Sequence, residues 1–418
     1  MNVLVIGKGG REHALVKALS TSKIVDTVHA LPGNDGMRTL AICHSGKTTS
    51  SDVLPVVKKH DIQLVVIGPE VELVEGLADD LRKAGIAVFG PSQSGAQLEA
   101  SKVFSKEFMQ KYQIPTASFE IVSSVADVEA SFHKFEPPYV LKVDGLAAGK
   151  GVYILKDAQE LIAAAKEVFE EQKFGVSGNQ ALLEEFQKGW ELSYLILTNG
   201  KDFQSLPLSQ DHKRLKEKDQ GPNTGGMGVV APLEIDLELN QRIQDEILKP
   251  TVEGLCREGW MYRGLVYVGV MVTEQGPRVI EYNVRFGDPE AQVVLPLLDG
   301  DWGEVLWSVA RGELPSLLWK PVFSACVVLA AEGYPEAPRK GVPIEGDLMF
   351  ESPSSYFLHA GTCYQSDTQK WETDGGRVLN AIGMGSSRLE SIENAYKQAE
   401  HATWPGRQMR KDIGQKVL

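Results

Sequence analysis

The sequence predicts an α/β protein that begins with a doubly wound, mainly parallel sheet and continues into two further regions of mixed helix and strand. In the first hundred residues, short apolar segments alternate with stretches of helical periodicity. Near residue 101 this alternation gives way to a lysine-bearing helix and glycine-rich loops. A chain of 418 residues also exceeds the size of one ordinary domain, so we predict two to four domains.

The first region is predicted to span residues 1–101. Its apolar segments have the length of β-strands, and glycine- or proline-rich turns follow them; they lie at residues 3–6, 27–30, 64–67 and 87–89. Strands that alternate with helices pair in parallel. We therefore expect ligands beyond the carboxyl ends of these strands.

The second region is predicted to span residues 102–320 and the third residues 321–418. The second opens with a helix that carries spaced lysines and ends before Pro115. Residues 205–232 are rich in glycine and charge with little periodicity, so we interpret them as a long functional loop. Apolar periodicity predicts further elements at residues 140–143, 158–170, 181–185, 264–272, 278–283, 325–331, 378–382 and 392–401.

Charge and cysteine content restrict the classes of partner. A net charge of −13, without a long lysine or arginine tract, argues against nucleic-acid and membrane partners. Four cysteines without C-x-x-C spacing are typical of reduced thiols, so we expect a cytoplasmic protein. The apolar run after Met1 has no basic segment before it, which favours a strand over a signal peptide. Structural roles are predicted for His13, His29, His212 and His359, which form no spaced ligand set.

Residues 281–290, with the sequence EYNVRFGDPE, carry the strongest local signal for a ligand-binding site. On a strand, Glu281 and Asn283 share one face, and Arg285 follows at the next repeat. A carboxylate and an amide oxygen at this spacing suit Mg²⁺, and the arginine can hold a phosphate through paired hydrogen bonds. The same pattern also fits a solvated strand edge that runs into an Asp-Pro turn.

Residues 142–151, with the sequence KVDGLAAGKG, form a second signal. Lys142 ends an apolar strand, and a loop of small residues containing Lys150 follows it. Glycines let backbone N–H groups approach phosphate oxygens closely, which favours phosphate binding. The loop differs from a Walker A motif because no serine or threonine follows the lysine. A flexible turn is the alternative interpretation.

Further stretches offer donors for anionic ligands. Residues 210–214 (QDHKR) and 221–228 (GPNTGGMG) combine cations with backbone donors, although each alone resembles a surface loop. Residues 7–13 (GKGGREH) follow the first strand and favour a phosphate at a helix N-terminus. A dinucleotide fingerprint needs a glycine where Glu12 stands, so we favour a sugar phosphate over NAD.

In this order along the chain, these stretches resemble the phosphoribosylamine–glycine ligases (glycinamide ribonucleotide synthetases), a family of ATP-grasp enzymes. The resemblance runs from Met1 to Gly414 and rests on residues 9–15, 144–152, 209–214, 221–228, 285–290, 359–362 and 375–378. It implies an N-terminal doubly wound domain, an ATP-grasp core with a mobile lid at about residues 121–186, and a small C-terminal α+β domain. The implied reaction joins glycine to 5-phosphoribosylamine through glycyl phosphate, with ATP giving ADP and phosphate, in purine biosynthesis.

The resemblance also implies roles for individual residues. An ATP site is implied for Lys102, Lys142, Gly145, Gly149, Lys150, Gly151, Glu184, Glu185, Phe186 and Glu191. Ligands for Mg²⁺ or Mn²⁺ are implied at Glu281 and Asn283. Substrate contacts are implied for Gly9, Gly10, Arg11, Glu12, Asn34, Gly225, Gly226 and Asp288. Catalytic roles are implied for Asp211, Lys213 and Arg285.

Glycine and phosphoribosylamine are the small-molecule partners that the resemblance implies. It also leads us to expect a monomer or homodimer and a transient contact with the upstream amidotransferase. Three alternatives stay open. They are another ATP-grasp enzyme of purine metabolism that uses formate or CO₂, a Rossmann-type oxidoreductase, and a non-catalytic nucleotide-binding module.

The chain departs from the usual family pattern at a few positions. Trp190 stands where many members carry the first of two consecutive acids, and Glu191 retains the second. Val143 replaces a more frequent alanine. The strand at residues 264–272 carries no acid, whereas other ATP-grasp families place a metal ligand there, so Glu281 is expected to bridge two ions.

Overall fold

The computed structural model describes residues 1–146 and 151–417. Helices and strands alternate through most of this length, and the hydrophobic core is divided among several clusters. No helix within these ranges has both the length and the apolar character needed to cross a membrane.

The N-terminal region is a doubly wound parallel sheet, as predicted. Its strands are β1 (Asn2–Gly7), β2 (Thr27–Pro32), β3 (Ile42–Cys43), β4 (Ile62–Ile67) and β5 (Ala87–Pro91). Its helices are α1 (Gly10–Ser20), α2 (Ser50–Lys59), α3 (Glu70–Val74), α4 (Leu77–Lys83) and α5 (Gln93–Ala100). A 3₁₀ turn occupies Asp35–Met37.

Strand alternation buries both faces of this sheet. Val3 and Val5 pack into one cluster with α1, whereas Leu4 and Ile6 pack into another with α2 and α4. Side chains on a strand point alternately to its two faces, so a continuous apolar run fits a sheet covered on both sides. The parallel order places the turns after β1, β2 and β4 at one edge.

A smaller α+β unit follows a connecting helix. The elements in this part of the chain are α6 (Lys102–Lys111), β6 (Phe119–Val122), α7 (Val125–Ser131), β7 (Tyr139–Val143), β8 (Val152–Leu155), α8 (Ala158–Phe169) and β9 (Ala181–Glu185), with 3₁₀ turns at Phe132–Lys134 and Gly175–Gly178. The strands form an antiparallel sheet in the order β6-β9-β7-β8 with its own core. We call this unit the lid; it begins slightly before the predicted residue 121.

The central part of the chain completes the large sheet. Its strands are β10 (Gly189–Thr198), β11 (Phe203–Ser205), β12 (Gln210–Asp211), β13 (Arg214–Lys216), β14 (Gln220–Asn223), β15 (Gly228–Ala231), β16 (Tyr262–Thr273) and β17 (Gly276–Asn283). Its helices are α9 (Leu237–Ile243), a π-helix (Gln244–Leu248), α10 (Lys249–Arg257), α11 (Glu290–Val294) and α12 (Trp302–Arg311), with 3₁₀ turns at Glu217–Asp219 and Leu295–Leu297.

The C-terminal part packs one helix on a mainly antiparallel sheet. Its elements are β18 (Phe323–Ala330), β19 (Pro343–Gly346), β20 (Glu351–Ser352), β21 (Ser355–His359), β22 (Thr362–Gln365), β23 (Lys370–Thr373), β24 (Arg377–Gly385), α13 (Arg388–Ala399), β25 (Ala402–Thr403) and a 3₁₀ turn (Gln415–Val417). A second small sheet has the order β22-β23-β19-β25.

The sheets cross the boundaries predicted from the sequence. The large sheet has the order β11-β10-β16-β5-β4-β1-β2-β3, with β17 paired to β16, so it joins the N-terminal region to the central one. The C-terminal sheet has the order β12-β15-β18-β24-β21-β20, so it takes two strands from the segment at residues 210–231. The boundaries at residues 101 and 320 stay predictions.

The interpretation of residues 205–232 as a loop without regular structure was wrong. This segment contains β12 to β15, which are short, and β13 and β14 form a small hairpin of their own. Strands of two to four residues are too short to produce a readable alternation of apolar and polar positions. The segment therefore places Asp211 on a strand of the C-terminal sheet, whereas its hairpin stands apart from that sheet.

Candidate active site

The predicted metal ligands lie on one strand at the junction of core and lid. Glu281 and Asn283 are two residues apart on β17, where they pair with Gly269 and Tyr267 of β16. Both side chains therefore lie on the same face of the sheet. A carboxylate beside an amide oxygen is a donor set that fits a hard divalent cation, which completes its shell with water and phosphate oxygens.

Positive side chains from three parts of the chain surround Glu281. Burial acts to raise the pKa of Glu281, but the charges of Lys213, Lys142 and Lys102 outweigh it and hold that pKa below its usual value. Arg285 acts in the same direction. The Glu281 carboxylate is therefore ionised at neutral pH, and the cations that converge on it form a pocket whose donors can also meet phosphates.

A buried carboxylate holds Lys142, the lysine of the lid that was predicted to bind phosphate. Glu184 on β9 contacts Lys142 Nζ on β7 at 2.9 Å and Lys106 Nζ on α6 at 3.3 Å. Burial lowers the pKa of Lys106 to about 8, although the charge of Glu184 acts to raise it. Because Lys106 is almost fully buried, Glu184 links the lid to the connecting helix and orients Lys142.

The described part of the predicted phosphate loop is anchored to the start of α6. Lys102 Nζ donates to the Gly145 carbonyl at 3.0 Å. Asp144 accepts from Val103 N–H at 3.1 Å and from Ser101 Oγ at 3.1 Å, so its carboxylate caps the helix. The carbonyl of Gly151 accepts from Val143 N–H at 2.8 Å, while Gly149 and Lys150 lie outside the described residues.

The hinge between lid and core presents apolar side chains to solvent. Phe186 is 41% exposed and Trp190 is 40% exposed. Glu185 does not face them, because its Oε1 accepts from Arg278 at 2.8 Å and from Ser118 N–H at 3.1 Å. An exposed aromatic ring such as that of Phe186 can stack on a planar base, which is the contact that an adenine requires.

Glu191 on β10 belongs to the charged cluster of the core. Its Oε2 lies 3.2 Å from Lys213 Nζ, and Lys213 lies 3.9 Å from Glu281 Oε1. The negative charge of Glu191 is the main cause that raises the pKa of Lys213 well above its ordinary value. Trp190 precedes Glu191 on the strand and so points to the opposite face.

Asp211 on β12 stands beside a second buried acid. Burial and the negative charge of Glu290 raise the pKa of Asp211 well above its ordinary value, and Lys213 only partly opposes them. Ser193 Oγ donates to Glu290 Oε1 at 3.2 Å and lies 2.9 Å from the Tyr267 hydroxyl. The position therefore favours a carboxyl group that takes up a proton more readily than an exposed aspartate does.

The C-terminal tail holds the segment that carries Asp211 and Lys213. Arg410 is fully buried and contacts Asp219 at 3.0 Å and Asp412 at 2.8 Å. Its guanidinium also donates to the Arg214 carbonyl at 3.1 Å. His212, predicted to be structural, accepts from Gly414 N–H at 3.1 Å. The tail therefore holds the residue that lies between Asp211 and Lys213.

Arg285 joins the core to the N-terminal region. Its guanidinium contacts Glu99 Oε1 at 2.7 Å and Glu70 Oε2 at 3.3 Å. Burial acts to lower the pKa of Arg285, but these carboxylates raise it above its ordinary value. Sequence analysis missed Glu70 and Glu99, which lie far from Arg285 in the chain and in no recognisable motif.

The glycine turn after β1 is organised by Glu12. Its side chain is 2% exposed, and its Oε2 accepts from Gly9 N–H at 2.6 Å. Its Oε1 accepts from Arg11 Nε at 2.6 Å, and Arg11 also donates to the Phe286 carbonyl at 3.1 Å. A Cβ on Gly10 would lie 2.3 Å from Asn380 Nδ2, so this position has no room for a side chain. Glu12 therefore holds the turn in place through the hydrogen bonds that it accepts from Gly9 and Arg11.

The other predicted substrate residues meet at Arg377 of the C-terminal region. Its guanidinium contacts Asp288 Oδ2 at 3.0 Å and donates to the Gly225 carbonyl at 2.6 Å. Gly226 follows with a φ of +110° and lies against Pro289 and Asp211. Asn34 is separate, since its Nδ2 donates to the Lys8 carbonyl at 2.8 Å and to the His359 carbonyl at 3.0 Å.

Arg377 is a residue of this site that sequence analysis did not select. Burial acts to raise the pKa of Asp288, but Arg377 and then Arg11 hold it below its ordinary value. The signal was present, because Arg377 lies in the stretch at residues 375–378 that supported the family resemblance. Its role became visible only when β24 was placed beside the segment that carries Gly225.

Family models match the chain over nearly its whole length. The N domain of phosphoribosylglycinamide synthetase matches residues 1–99, the ATP-grasp (A) domain matches residues 100–291, and the C domain matches residues 324–416. The phosphoribosylamine–glycine ligase of Halalkalibacterium halodurans is 41% identical over 421 residues, which cover 100% of this chain and 97% of that protein. That of Caldanaerobacter subterraneus subsp. tengcongensis is 39% identical over 417 residues, which cover 99% of each.

Solved structures agree with these relatives. The crystal structure of phosphoribosylamine–glycine ligase from Thermotoga maritima has a TM-score of 0.87 and 36% identity, and the match covers 99% of this chain and 100% of that one. The biotin carboxylase domain of the Hydrogenobacter thermophilus 2-oxoglutarate carboxylase shares the fold alone, with a TM-score of 0.77, 16% identity and coverage of 98% and 91%. The predicted family is therefore confirmed: the chain belongs to the phosphoribosylglycinamide synthetase family of ATP-grasp enzymes.

Proposed function

We propose that the protein is an ATP-dependent ligase that joins glycine to 5-phosphoribosylamine and yields glycinamide ribonucleotide, ADP and phosphate. The observation that carries this proposal is the pocket around Glu281, where Lys102, Lys142, Lys213 and Arg285 converge on one carboxylate. A pocket of this charge suits the phosphates of ATP. The glycine turn after β1 and the Gly225 segment offer backbone donors for the second, phosphorylated substrate.

The reaction is proposed to run through glycyl phosphate. A glycine carboxylate oxygen attacks the γ-phosphorus of ATP, and ADP leaves. The amine nitrogen of phosphoribosylamine then attacks the acyl carbon, loses a proton, and phosphate leaves. A carboxylate is a poor acyl donor. Phosphorylation converts it into an acyl phosphate, from which phosphate leaves readily.

In this scheme most of the protein's work is positioning and charge neutralisation. Lys102 and Lys142 lie where they can hold phosphate oxygens, and Glu184 keeps Lys142 in place. Glu281 and Asn283 are the proposed ligands of Mg²⁺ or Mn²⁺, which when bound neutralises phosphate charge. Asp211, whose pKa is raised by burial and by Glu290, is suited to take the proton that the amine loses.

The remaining expectations from the sequence belong to the same proposal. The adenine is placed at the hinge beside Phe186, with the ribose near Glu191. Glycine is placed near Gly225, Gly226 and Arg285. We further propose a cytoplasmic enzyme, a monomer or homodimer, and a transient contact through which the upstream amidotransferase delivers labile phosphoribosylamine.

A substrate-omission assay tests the overall reaction. Purified protein is incubated with ATP, Mg²⁺, glycine and phosphoribosylamine, and ADP and phosphate are measured. Release is expected only when all components are present. If formate or bicarbonate replaces glycine with equal or greater turnover, the choice of carboxylate is wrong, whereas no ADP release with any carboxylate contradicts the ligase proposal itself.

An isotope experiment tests the intermediate. Glycine labelled with ¹⁸O in its carboxylate should transfer one labelled oxygen to each phosphate released, because the oxygen that attacks phosphorus leaves with it. Mass spectrometry of the phosphate provides the measurement. Unlabelled phosphate, with turnover intact, would exclude glycyl phosphate while leaving the ligase activity standing.

A further inference from the structure

Three histidines converge in the N-terminal region, away from the candidate active site. His29 lies on β2, His44 directly follows β3, and His60 directly follows α2. The carbonyl of His60 accepts from Asn2 Nδ2 at the beginning of β1, whereas the glycine turn lies after the end of that strand. The group therefore belongs to a different part of the sheet from the phosphate pocket.

The ring nitrogens are close enough to share one ion. His29 Nδ1 lies 2.9 Å from His44 Nε2. One potential ligand nitrogen from each of the three rings lies within 4.8 Å of the other two. Zinc–nitrogen bonds of about 2.0–2.1 Å place two nitrogens of a tetrahedral site roughly 3.3 Å apart. The separation of 2.9 Å and the limit of 4.8 Å bracket that spacing, so small side-chain rotations are enough to reach it.

The three rings are also partly shielded from water. His29 is 2% exposed, and His44 and His60 are half-buried. A ring that is partly buried has already lost some of the water that metal binding would displace.

A hydrogen-bonded pair of histidines explains less of this arrangement. One hydrogen bond satisfies His29 and His44, but it gives no reason for the third ring, whose centroid lies 5.0 Å from that of His29 and 4.7 Å from that of His44. Within residues 1–146 and 151–417, this is also the only group of three histidine, cysteine or acidic residues that meets the same distance limit.

We propose that His29, His44 and His60 form a binding site for a borderline transition-metal cation, with Zn²⁺ as the preferred ion. Three imidazoles with a water in the fourth position satisfy the coordination that zinc adopts in proteins. The set contains no oxygen ligand, so it selects against the Mg²⁺ that suits Glu281 and Asn283. A bound ion would tie together β2, the end of β3 and the end of α2.

Metal titration of the full chain tests this site. The chelator-treated protein is titrated with Zn²⁺ by calorimetry in excess Mg²⁺, and with Co²⁺ by visible absorption. One equivalent is expected to bind, with the intense bands of tetrahedral Co²⁺. The same titration in Glu281→Gln should be unchanged, which separates this site from the proposed catalytic metal and from any failure of the proposed function.

Substitutions identify the ligands. His44→Gln and His60→Gln are each expected to weaken Zn²⁺ binding at least tenfold, while His133→Gln, an exposed histidine of the lid, serves as the matched control. Zn²⁺ should also raise the melting temperature of the parent protein but not that of the first two variants. The proposal is overturned if no tight equivalent binds, or if it survives in both His44→Gln and His60→Gln.

Discussion

The pocket around Glu281 and the junction around Arg377 use charge in different ways. In the pocket, Lys102, Lys142 and Lys213 all act on Glu281, but Lys213 lies 3.9 Å from it and is closer to Glu191, at 3.2 Å. At the junction, Arg377 is matched directly to Asp288 at 3.0 Å, and its other donors go to carbonyls. The lysines of the pocket are therefore shared among several carboxylates, whereas Arg377 has one acidic partner at short range.

This difference indicates what each region can do. The Glu281 side chain is 42% exposed and meets Lys213 only at 3.9 Å, so the carboxylate and the lysine can both turn to a ligand. A balanced, buried network is stable without a ligand, so the junction is suited to holding glycine-rich backbone in a fixed position. Substitutions in the pocket should therefore reduce turnover without unfolding the protein, while those at the junction should affect both.

The largest effect is expected for Glu281→Gln. Removing the charge of the proposed metal ligand should lower kcat by at least about 10³-fold, since metal and phosphate positioning contribute several kcal/mol to such reactions. Unfolding by denaturant should remain close to that of the parent protein, because the contact between Glu281 and Lys213 is long and partly exposed, and Glu191 keeps Lys213 paired. Activity within tenfold of the parent would remove Glu281 from the metal site.

A smaller loss is expected for Asp211→Asn. If Asp211 takes the amine proton, kcat should fall by roughly 10²-fold, a typical contribution of a general base. The pKa of this carboxyl is raised, so in the parent protein activity should decline as pH falls through that raised value and the carboxylate is lost. The variant should lack this acidic limb.

The matched control for Asp211 is Asp202→Asn, an exposed acid on the turn before β11. It should leave both the rate and the pH profile unchanged. If Asp211→Asn lowers the rate but keeps the acidic limb of the profile, Asp211 is a positioning residue and another group accepts the proton.

The sequence predicted the two regions to different extents. Glu281 and Asn283 lie on β17 and Arg285 follows two residues after its end, so spacing alone could predict that the three lie close together. The junction could not, because Arg377 meets Asp288 and Gly225 only after β24 has paired with β18. Local patterns reveal residues on one element, whereas contacts between distant elements depend on the sheet order.

The same limit explains two other outcomes. The predicted strands of the N-terminal region were confirmed because long apolar runs give a clear signal, while the short strands within residues 205–232 were missed. His29, His44 and His60 were not recognised as a group because 15 and 16 residues separate them, which matches no metal-binding pattern. Side chains from a strand, a turn and a helix end converge only in the folded chain.

For Arg377→Ala we expect a moderate loss of activity with a clear loss of stability. The change leaves Asp288, whose side chain is 15% exposed, with a hydrogen bond from Gln292 but without its ion-pair partner, which typically costs about 1–3 kcal/mol. The glycine segment should loosen, so kcat/KM for phosphoribosylamine should fall by roughly tenfold, mainly through KM. Denaturant unfolding and steady-state kinetics measure the two effects, and Arg377→Lys should restore part of the stability.

The pH dependence of stability provides a second test of the pair formed by Arg377 and Asp288. The pKa of Asp288 is held below its ordinary value, so the pair stabilises the fold above that ordinary value and the contribution is lost as pH falls through the folded-state pKa. Without Arg377, Asp288 should protonate at higher pH, so the variant should lose less stability on acidification. Arg339→Ala, which breaks an exposed pair with Glu332, should change stability by less than about 1 kcal/mol.

The smallest effect is expected for Trp190→Glu, which restores the acid found in many family members. Residue 190 precedes Glu191 on β10, so the two side chains point to opposite faces and only Glu191 meets Lys213 at 3.2 Å. An added carboxylate at position 190 therefore cannot join Glu191 in the same contact, and KM for ATP should change by less than about fivefold.

Glu191→Gln, by contrast, removes the charge beside Lys213 and should raise KM for ATP more. If Trp190→Glu improves ATP binding more than Glu191→Gln weakens it, the hinge rearranges around the nucleotide and position 190 lies in the ribose site after all.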